Sequence, residues 1–313
     1  MTFAAVVPAT TSNLGPGFDS LGMALDLCNV FRCEATGEGL QMRLEGEGAD
    51  LLPAGPDNLV VRTLRAFCEA HGQSAPEGLR LVVQGHVPVS GGLGSSATAA
   101  VGGTLLACGL LGLPAADPEI QQRVLAFATE TEGHPDNAAP CVLGGLVVAA
   151  SAGGEVHSLQ LDPPARLGCV LATPVMQQST AELRAALPDR VSMADAVFNL
   201  SHAALLVAAL SQGRLDLLKV AMRDRIHQHV RTAGIPGFES VVAAAQEAGA
   251  LATVLSGAGA TVIAYVDQSE DVQEHVGAAM GAAFAMAGMG CQVRTVSPRR
   301  QGAELTVVDS LEA

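Results

Sequence analysis

Lysine is almost missing from this chain: Lys219 is the only one among its 313 residues. Nucleotide sites built on a P-loop, or on the strand lysine of a protein kinase, need an ammonium group at the phosphates. No Gly-Lys-Ser/Thr follows any glycine loop, so both classes are disfavoured. Tryptophan is absent and there is a single tyrosine. Base-stacking nucleic-acid binders draw on aromatics along a basic groove, whereas the formal net charge here is −14, so no nucleic-acid partner is expected. Apolar runs with basic flanks are also missing. Residues 88–116 carry no formal charge, which exceeds the ~20 residues needed to cross a bilayer. The stretch nevertheless opens in a glycine-rich loop, is mostly Ala and Gly, and has no basic cluster beside it. It reads as a buried helix behind a loop, with no membrane association. No basic residue precedes the first apolar run, so no signal peptide is expected.

The seven cysteines, at 28, 33, 68, 108, 141, 169 and 291, form no CxxC pair and no Cys/His cluster. That pattern fits buried thiols in a reducing cytoplasm better than a disulfide framework or a zinc site. Apolar residues make up 49% of the chain, enough for a sizeable core and against disorder. The length suggests two domains.

Three helices are legible before residue 133, and mostly helical segments follow residue 175. Residues 58–71 place Leu59, Arg62, Leu64, Phe67 and Cys68 at helical spacing and stop before Gly72. Residues 95–111 give an apolar helix, and 118–132 a second one with proline at its start. Strands are expected near Phe3–Pro8, in LGMALDLCNVFRCEA, in LRLVVQGHVPVS, in LGGLVVAAS, near 167–175 and in ELTVVDSL, while LATVLSGAGATVIAYV reads as a strand and a glycine turn followed by a second strand or a helix start. Mixed strands and helices with antiparallel-looking pairs argue for an α+β fold. Gly153-Gly154 and Pro163-Pro164 punctuate the middle, and a cut between 158 and 159 divides the chain into residues 1–158 and 159–313.

The segment Pro88-Val-Ser-Gly-Gly-Leu-Gly-Ser-Ser-Ala97 is the strongest feature. Its glycines let a backbone approach something closely, and an Ala-rich helix follows at once. A glycine loop feeding a helix N-terminus suits an anion, through free N–H groups and the helix dipole. Local physics leaves two readings, a phosphate site and a tight strand-to-helix turn capped by serine, and leans to the first.

These residues resemble the central P-x-x-x-G-L-G-S-S-A motif of the GHMP kinase family. Further blocks are similar to the same family in the right order: PATTSNLGPGFDSLGMAL at 8–25, EGHPDNAAPCVLGG at 132–145 and LSGAGATVIAYV at 255–266. The first two are of the homoserine kinase type. The resemblance implies a two-domain GHMP kinase fold, with an N-terminal half like domain 2 of ribosomal protein S5 and a ferredoxin-like α+β C-terminal half. It also implies a cytoplasmic enzyme, compatible with a homodimer, that uses ATP and Mg²⁺ to phosphorylate L-homoserine.

Residue roles follow from the same resemblance. Pro88, Gly91, Gly92, Leu93, Gly94, Ser95 and Ser96 would wrap the ATP phosphates, with Asn58 near the adenine. Ser96 and Glu132 would hold Mg²⁺, a hard cation that takes carboxylate and phosphate oxygens; Glu130 is the alternative carboxylate. Arg184 and Arg231 would clamp the acceptor carboxylate, a task suited to a planar guanidinium. Asp19 would take the ammonium, while Asn13, His134, Asp136, Thr180 and Gly257 would line the rest. Several branches of the family carry an aspartate base about where Asn137 stands. Asparagine cannot take the proton, so the base is Asp136, Asp19 or none, and the last is favoured. His227 and His229, two apart in an expected helix, point to different faces and receive no role. The alternatives are a GHMP kinase for a mevalonate- or shikimate-like alcohol and a non-catalytic regulator on the same fold.

Overall fold

The computed structural model describes residues 1–176 and 180–312, without the side chains of residues 180 and 181. The first half runs through β1 (Thr2–Ser12), β2 (Leu21–Thr36), β3 (Leu40–Gly46), α1 (Leu59–Ala70), β4 (Gly78–Gly85), α2 (Ser95–Leu111), α3 (Pro118–Glu132), α4 (Pro135–Leu143), β5 (Leu146–Ala152) and β6 (Glu155–Leu161). The second continues with β7 (Leu167–Pro174), α5 (Thr180–Ala185), α6 (Met193–Ser211), α7 (Leu218–Ala221), α8 (Gln228–Thr232), α9 (Phe238–Glu247), β8 (Ala252–Leu255), β9 (Val262–Asp267), α10 (Gln273–Met286), β10 (Cys291–Val296) and β11 (Glu304–Val308).

Two sheets organise these elements. The larger has seven strands in the order β11-β1-β2-β4-β3, with β5 joined to β2 and β6 to β5. Its pairings are antiparallel except β3 with β4. The smaller is a four-stranded antiparallel sheet, β10-β7-β9-β8. This is the α+β architecture expected. The division expected after residue 158 falls inside β6, whose pairing with β5 keeps the first sheet going to Leu161. The chain also returns to that sheet at its far end, where Val308 pairs with Thr2.

Local chemistry explains the helices. Asn58 caps α1 by accepting the Val60 amide, and Val60, Val61, Leu64, Phe67 and Cys68 form its buried face. Asp117 caps α3, and its Pro118 occupies a first-turn position where no N–H is needed. The uncharged stretch becomes α2, buried along most of its length. Its small residues are a packing requirement: a Cβ on Gly102 would lie 2.4 Å from the Phe31 ring, and one on Gly103 would lie 2.1 Å from Thr63 Oγ1. The helix therefore presses against both β2 and α1. Among the described residues one helix, α6, has the length and apolar composition of a bilayer span, with 22% of that window buried.

A shared core ties the halves together. Leu14, Met23 and Leu93 from the first pack with Cys169, Leu206, Ile263 and Tyr265 from the second.

Candidate active site

The loop between β4 and α2 needs left-handed backbone at Gly92 (φ 76°) and Gly94 (φ 69°). A Cβ on Gly92 would sit 2.3 Å from Ser256 O, and one on Gly94 2.1 Å from Thr10 Oγ1. Gly92 is thus hemmed in by the turn after β8 and Gly94 by the end of β1. Ser256 Oγ lies 2.7 Å from Gly92 O, Thr261 N donates to Gly91 O and Thr10 N donates to Leu93 O. The blocks separated in sequence form one bonded unit.

Helix α2 starts at this unit with Gly94 as its N-cap and no side-chain capping bond. Serine is therefore not a cap here. The first-turn amides of a helix lack intrahelical acceptors, so their dipoles face the cavity beside the loop. That cavity has a volume of about 350 Å³ and is lined by Gly91, Gly92, Gly94, Ser95 and Ser96. Pro88 and Leu93 are not in its wall, and Leu93, 1% exposed, turns into the shared core. Asn58 does reach the wall, but its amide is engaged in capping α1 and in donating to Pro53 O.

Across the helix start, Ser96 Oγ donates to Glu132 Oε1 at 2.6 Å. Glu132 is the last residue of α3 and lines the cavity, whereas Glu130 is exposed elsewhere on that helix. Burial pushes the Glu132 carboxyl up, with the Ser96 hydroxyl and His134 opposing it. A desolvated carboxylate beside a hydroxyl and a cluster of amides is a donor set suited to a hard cation with phosphate oxygens.

The other end of the cavity is charged. His134 Nδ1 and Asp136 Oδ1 are 2.5 Å apart, and Asp136 is 2% exposed. Burial pulls the His134 imidazole down, but the Asp136 carboxylate more than reverses this and leaves it above 6.5. Asp19, at φ 56°, forms a two-pronged ion pair with Arg184. Arg231, 3% exposed, donates from Nη1 to Gly257 O at 3.1 Å, and its buried Nε has no partner among the described residues. Burial pulls the Arg231 guanidinium below its ordinary value, and Arg184 adds to the effect. The Phe18 ring lies under both guanidiniums, 5.5 Å from Arg184 and 5.1 Å from Arg231. Asp19, His134 and Asp136 can bring one ligand atom each within 4.8 Å of one another. Two guanidiniums beside them make the cluster a better seat for a zwitterion than for a metal ion.

Asn13 holds this arrangement from the side. At φ 68° it donates to Gly257 O at 3.0 Å and accepts the Asp19 amide at 3.1 Å. Asn137 is saturated, accepting from Thr10 Oγ1 at 2.8 Å and donating to Ser12 Oγ at 3.1 Å. The Thr180 side chain lies outside the described residues. The sequence reading passed over Asn199, Asp224 and His227, which sit directly behind the Asn13–Asp19 loop. His227 is 0% exposed, and nothing in its local periodicity announces that.

Residues 58–145 match the family model of the GHMP kinases N terminal domain, and residues 206–285 that of the GHMP kinases C terminal. The chain is 44% identical over 297 residues to a homoserine kinase of Moorella thermoacetica, covering 95% of this chain and 97% of that one. It is 44% identical over 266 residues to a homoserine kinase of Deinococcus radiodurans, covering 85% of each. Among solved structures, homoserine kinase from Cytophaga hutchinsonii superposes with a TM-score of 0.87 at 29% identity, over 97% of both chains. The chain therefore belongs to the GHMP kinase family, in its homoserine kinase branch.

Proposed function

We propose that this protein transfers the γ-phosphoryl group of ATP to the side-chain hydroxyl of L-homoserine, giving O-phospho-L-homoserine and ADP. The observation that carries this reading is the pairing, in one cavity, of an uncapped helix N-terminus with Asp19, Arg184 and Arg231. One end suits a polyphosphate; the other suits an amino acid bearing both charges.

In this reading the amides of Gly92 to Ser96 and the start of α2 cradle the ATP phosphates. Ser96 Oγ and the Glu132 carboxylate would hold Mg²⁺, whose chemistry is to neutralise charge on the transferring phosphoryl group. Glu132 is favoured over Glu130 because it lines the cavity and is bonded to Ser96. Asp19 takes the acceptor ammonium, and Arg184 and Arg231 take its carboxylate. The unpartnered Nε of Arg231 is a donor that an anion would satisfy. Asn13 and Gly257 shape the seat between them, with His134 and Asp136 at its wall.

The homoserine oxygen attacks phosphorus as the bond to the β–γ bridging oxygen breaks, and ADP departs. Asn137 cannot accept the proton and is held by Thr10 and Ser12. Asp136 is engaged with His134. With Asp19 occupied by the acceptor ammonium in this reading, the proton would leave to a phosphoryl oxygen or to solvent, and catalysis would rest on positioning and charge stabilisation.

The test is ADP release from Mg·ATP with L-homoserine, mevalonate, shikimate, galactose or no acceptor. Turnover with homoserine alone supports the reading. Turnover with another alcohol keeps a kinase but removes the roles of Asp19, Arg184 and Arg231, and ATP binding without turnover favours a regulator.

A further inference from the structure

The loop Asn13–Asp19 carries both acceptor-facing groups, Asn13 and Asp19, yet it is an unfavourable piece of backbone. Asn13, Leu14, Gly15 and Asp19 all have positive φ, at 68°, 48°, 83° and 56°. For residues other than glycine this region costs about 1–2 kcal/mol each, so the conformation persists only where its surroundings impose it. The imposing groups come from the opposite half of the chain.

His227 Nε2 donates to Gly15 O at 2.8 Å, and Asn199 Nδ2 donates to Pro16 O at 3.2 Å. The His227 ring also stacks on Phe18 at 5.2 Å between centroids. Phe18 in turn lies under both Arg184 and Arg231. Asp224 fixes the two donors. Its carboxylate accepts Asn199 Nδ2 at 2.7 Å and the amides of Ile226, His227 and Gln228. Asn199 completes the circuit by accepting the Arg225 amide at 2.9 Å. Met222 O closes the remaining space, only 2.1 Å from where a Cβ on Gly15 would be.

We propose that Asn199, Asp224 and His227 are positioning residues for the acceptor, holding the 13–19 loop and, through Phe18, the two arginines in register with each other. None of the three lines the cavity, so they act through Asn13, Phe18 and Asp19 and leave the ATP end untouched. The inference rests on the acceptor reading of Asp19, Arg184 and Arg231. Acceptor-dependent turnover by the unmodified enzyme tests that reading separately.

The experiment compares steady-state kinetics of the full-length enzyme with those of His227→Phe, His227→Gln and Asn199→Leu, varying homoserine and ATP in turn. His227→Phe keeps a ring against Phe18 but strands the buried Gly15 carbonyl. Its KM for homoserine should rise about fivefold or more, the lower end of what an unsatisfied buried group costs, with the KM for ATP within about twofold. Asn199→Leu should behave alike. His227→Gln, which keeps a donor at the same reach, should recover most of the loss. An unchanged homoserine KM in His227→Phe, or an equal rise in the ATP KM, overturns the proposal. Should these variants not fold, hydrogen exchange on the unmodified enzyme decides. Homoserine should slow exchange in residues 13–21 and at the Ile226, His227 and Gln228 amides together, and protection of the first segment alone overturns it.

Discussion

Arg184 and Asp19, 165 positions apart, face each other in a two-pronged ion pair, with Nη1 3.0 Å from Oδ2 and Nη2 2.7 Å from Oδ1. Their charges are those of an amino-acid acceptor in reverse: a cation for its carboxylate and an anion for its ammonium. Their side chains are 41% and 33% exposed, and an ion pair of that kind contributes only about 0.2–1 kcal/mol. A zwitterion that satisfies both groups can open it at small cost. Arg184→Ala should raise the KM for homoserine about tenfold or more, on the scale of a lost charge-assisted hydrogen bond, with the KM for ATP unchanged. Steady-state kinetics with each substrate varied separately checks this, and an unchanged homoserine KM removes Arg184 from the clamp.

The Ser96–Glu132 bond sets up a second comparison. Glu132→Gln and Ser96→Ala should each lower kcat on the order of 100-fold, the usual effect of losing one well-placed transition-state group. Glu130→Gln should stay within about twofold of the parent, since that carboxylate is exposed away from the cavity. Turnover measured across a Mg²⁺ titration distinguishes them, because Glu132→Gln should also need more Mg²⁺ to reach half its maximum.

Asp136→Asn should reduce turnover by removing the negative charge beside His134 while leaving the shape of the pH–rate profile intact. Disappearance of one limb would instead identify Asp136 as a general base.

Acid should weaken the fold through His227. Burial holds its imidazole below 6.5, against the pull of Asp224, Asp19 and the Gly15 carbonyl, and Arg231 lowers it further. The unfolded chain therefore takes up this proton first. The stabilisation is complete above about pH 6.5 and is lost as the pH falls from there through the folded-state value. Asp224, held below 3.8 chiefly by His227 and its hydrogen bonds despite burial, adds a second loss at more acid pH. Because His134, held above 6.5, shifts stability the other way in this window, the test is a comparison: between pH 7 and 5 the urea midpoint of the parent should fall relative to that of His227→Gln.

Gly102→Ala should destabilise the protein, although alanine is worth about 1 kcal/mol over glycine in an ordinary helix interior. The added Cβ meets the buried Phe31 ring at 2.4 Å, and overpacking of this kind costs about 1–3 kcal/mol. Thermal and urea unfolding measure it, and an increase in stability would show that α2 can move away from β2.

The helices with continuous apolar faces were readable from the chain, down to the ends of α2 and α3. Three strands were not: β3, β6 and β10 expose much of their length, and a half-wet edge strand carries little hydrophobic signal. The cavity followed the same division. The glycine loop announced itself, because close backbone approach demands glycine in sequence. The carboxylate choice between Glu130 and Glu132 turned on which helix face met Ser96. His227 stayed silent because its partner, Gly15, lies 212 residues away.

The pairing of β11 with β1 sets an order on how this protein is made. During translation Thr2–Ser12 leaves the ribosome well before Glu304–Val308, and one side of it stays bare until that later strand has followed. A bare strand edge invites pairing with foreign chains. The nascent first half therefore cannot complete its own sheet ahead of the second, as independently folding domains usually do. Its burden on chaperones should be set by the stretch of chain that separates β1 from β11, not by the length of either half.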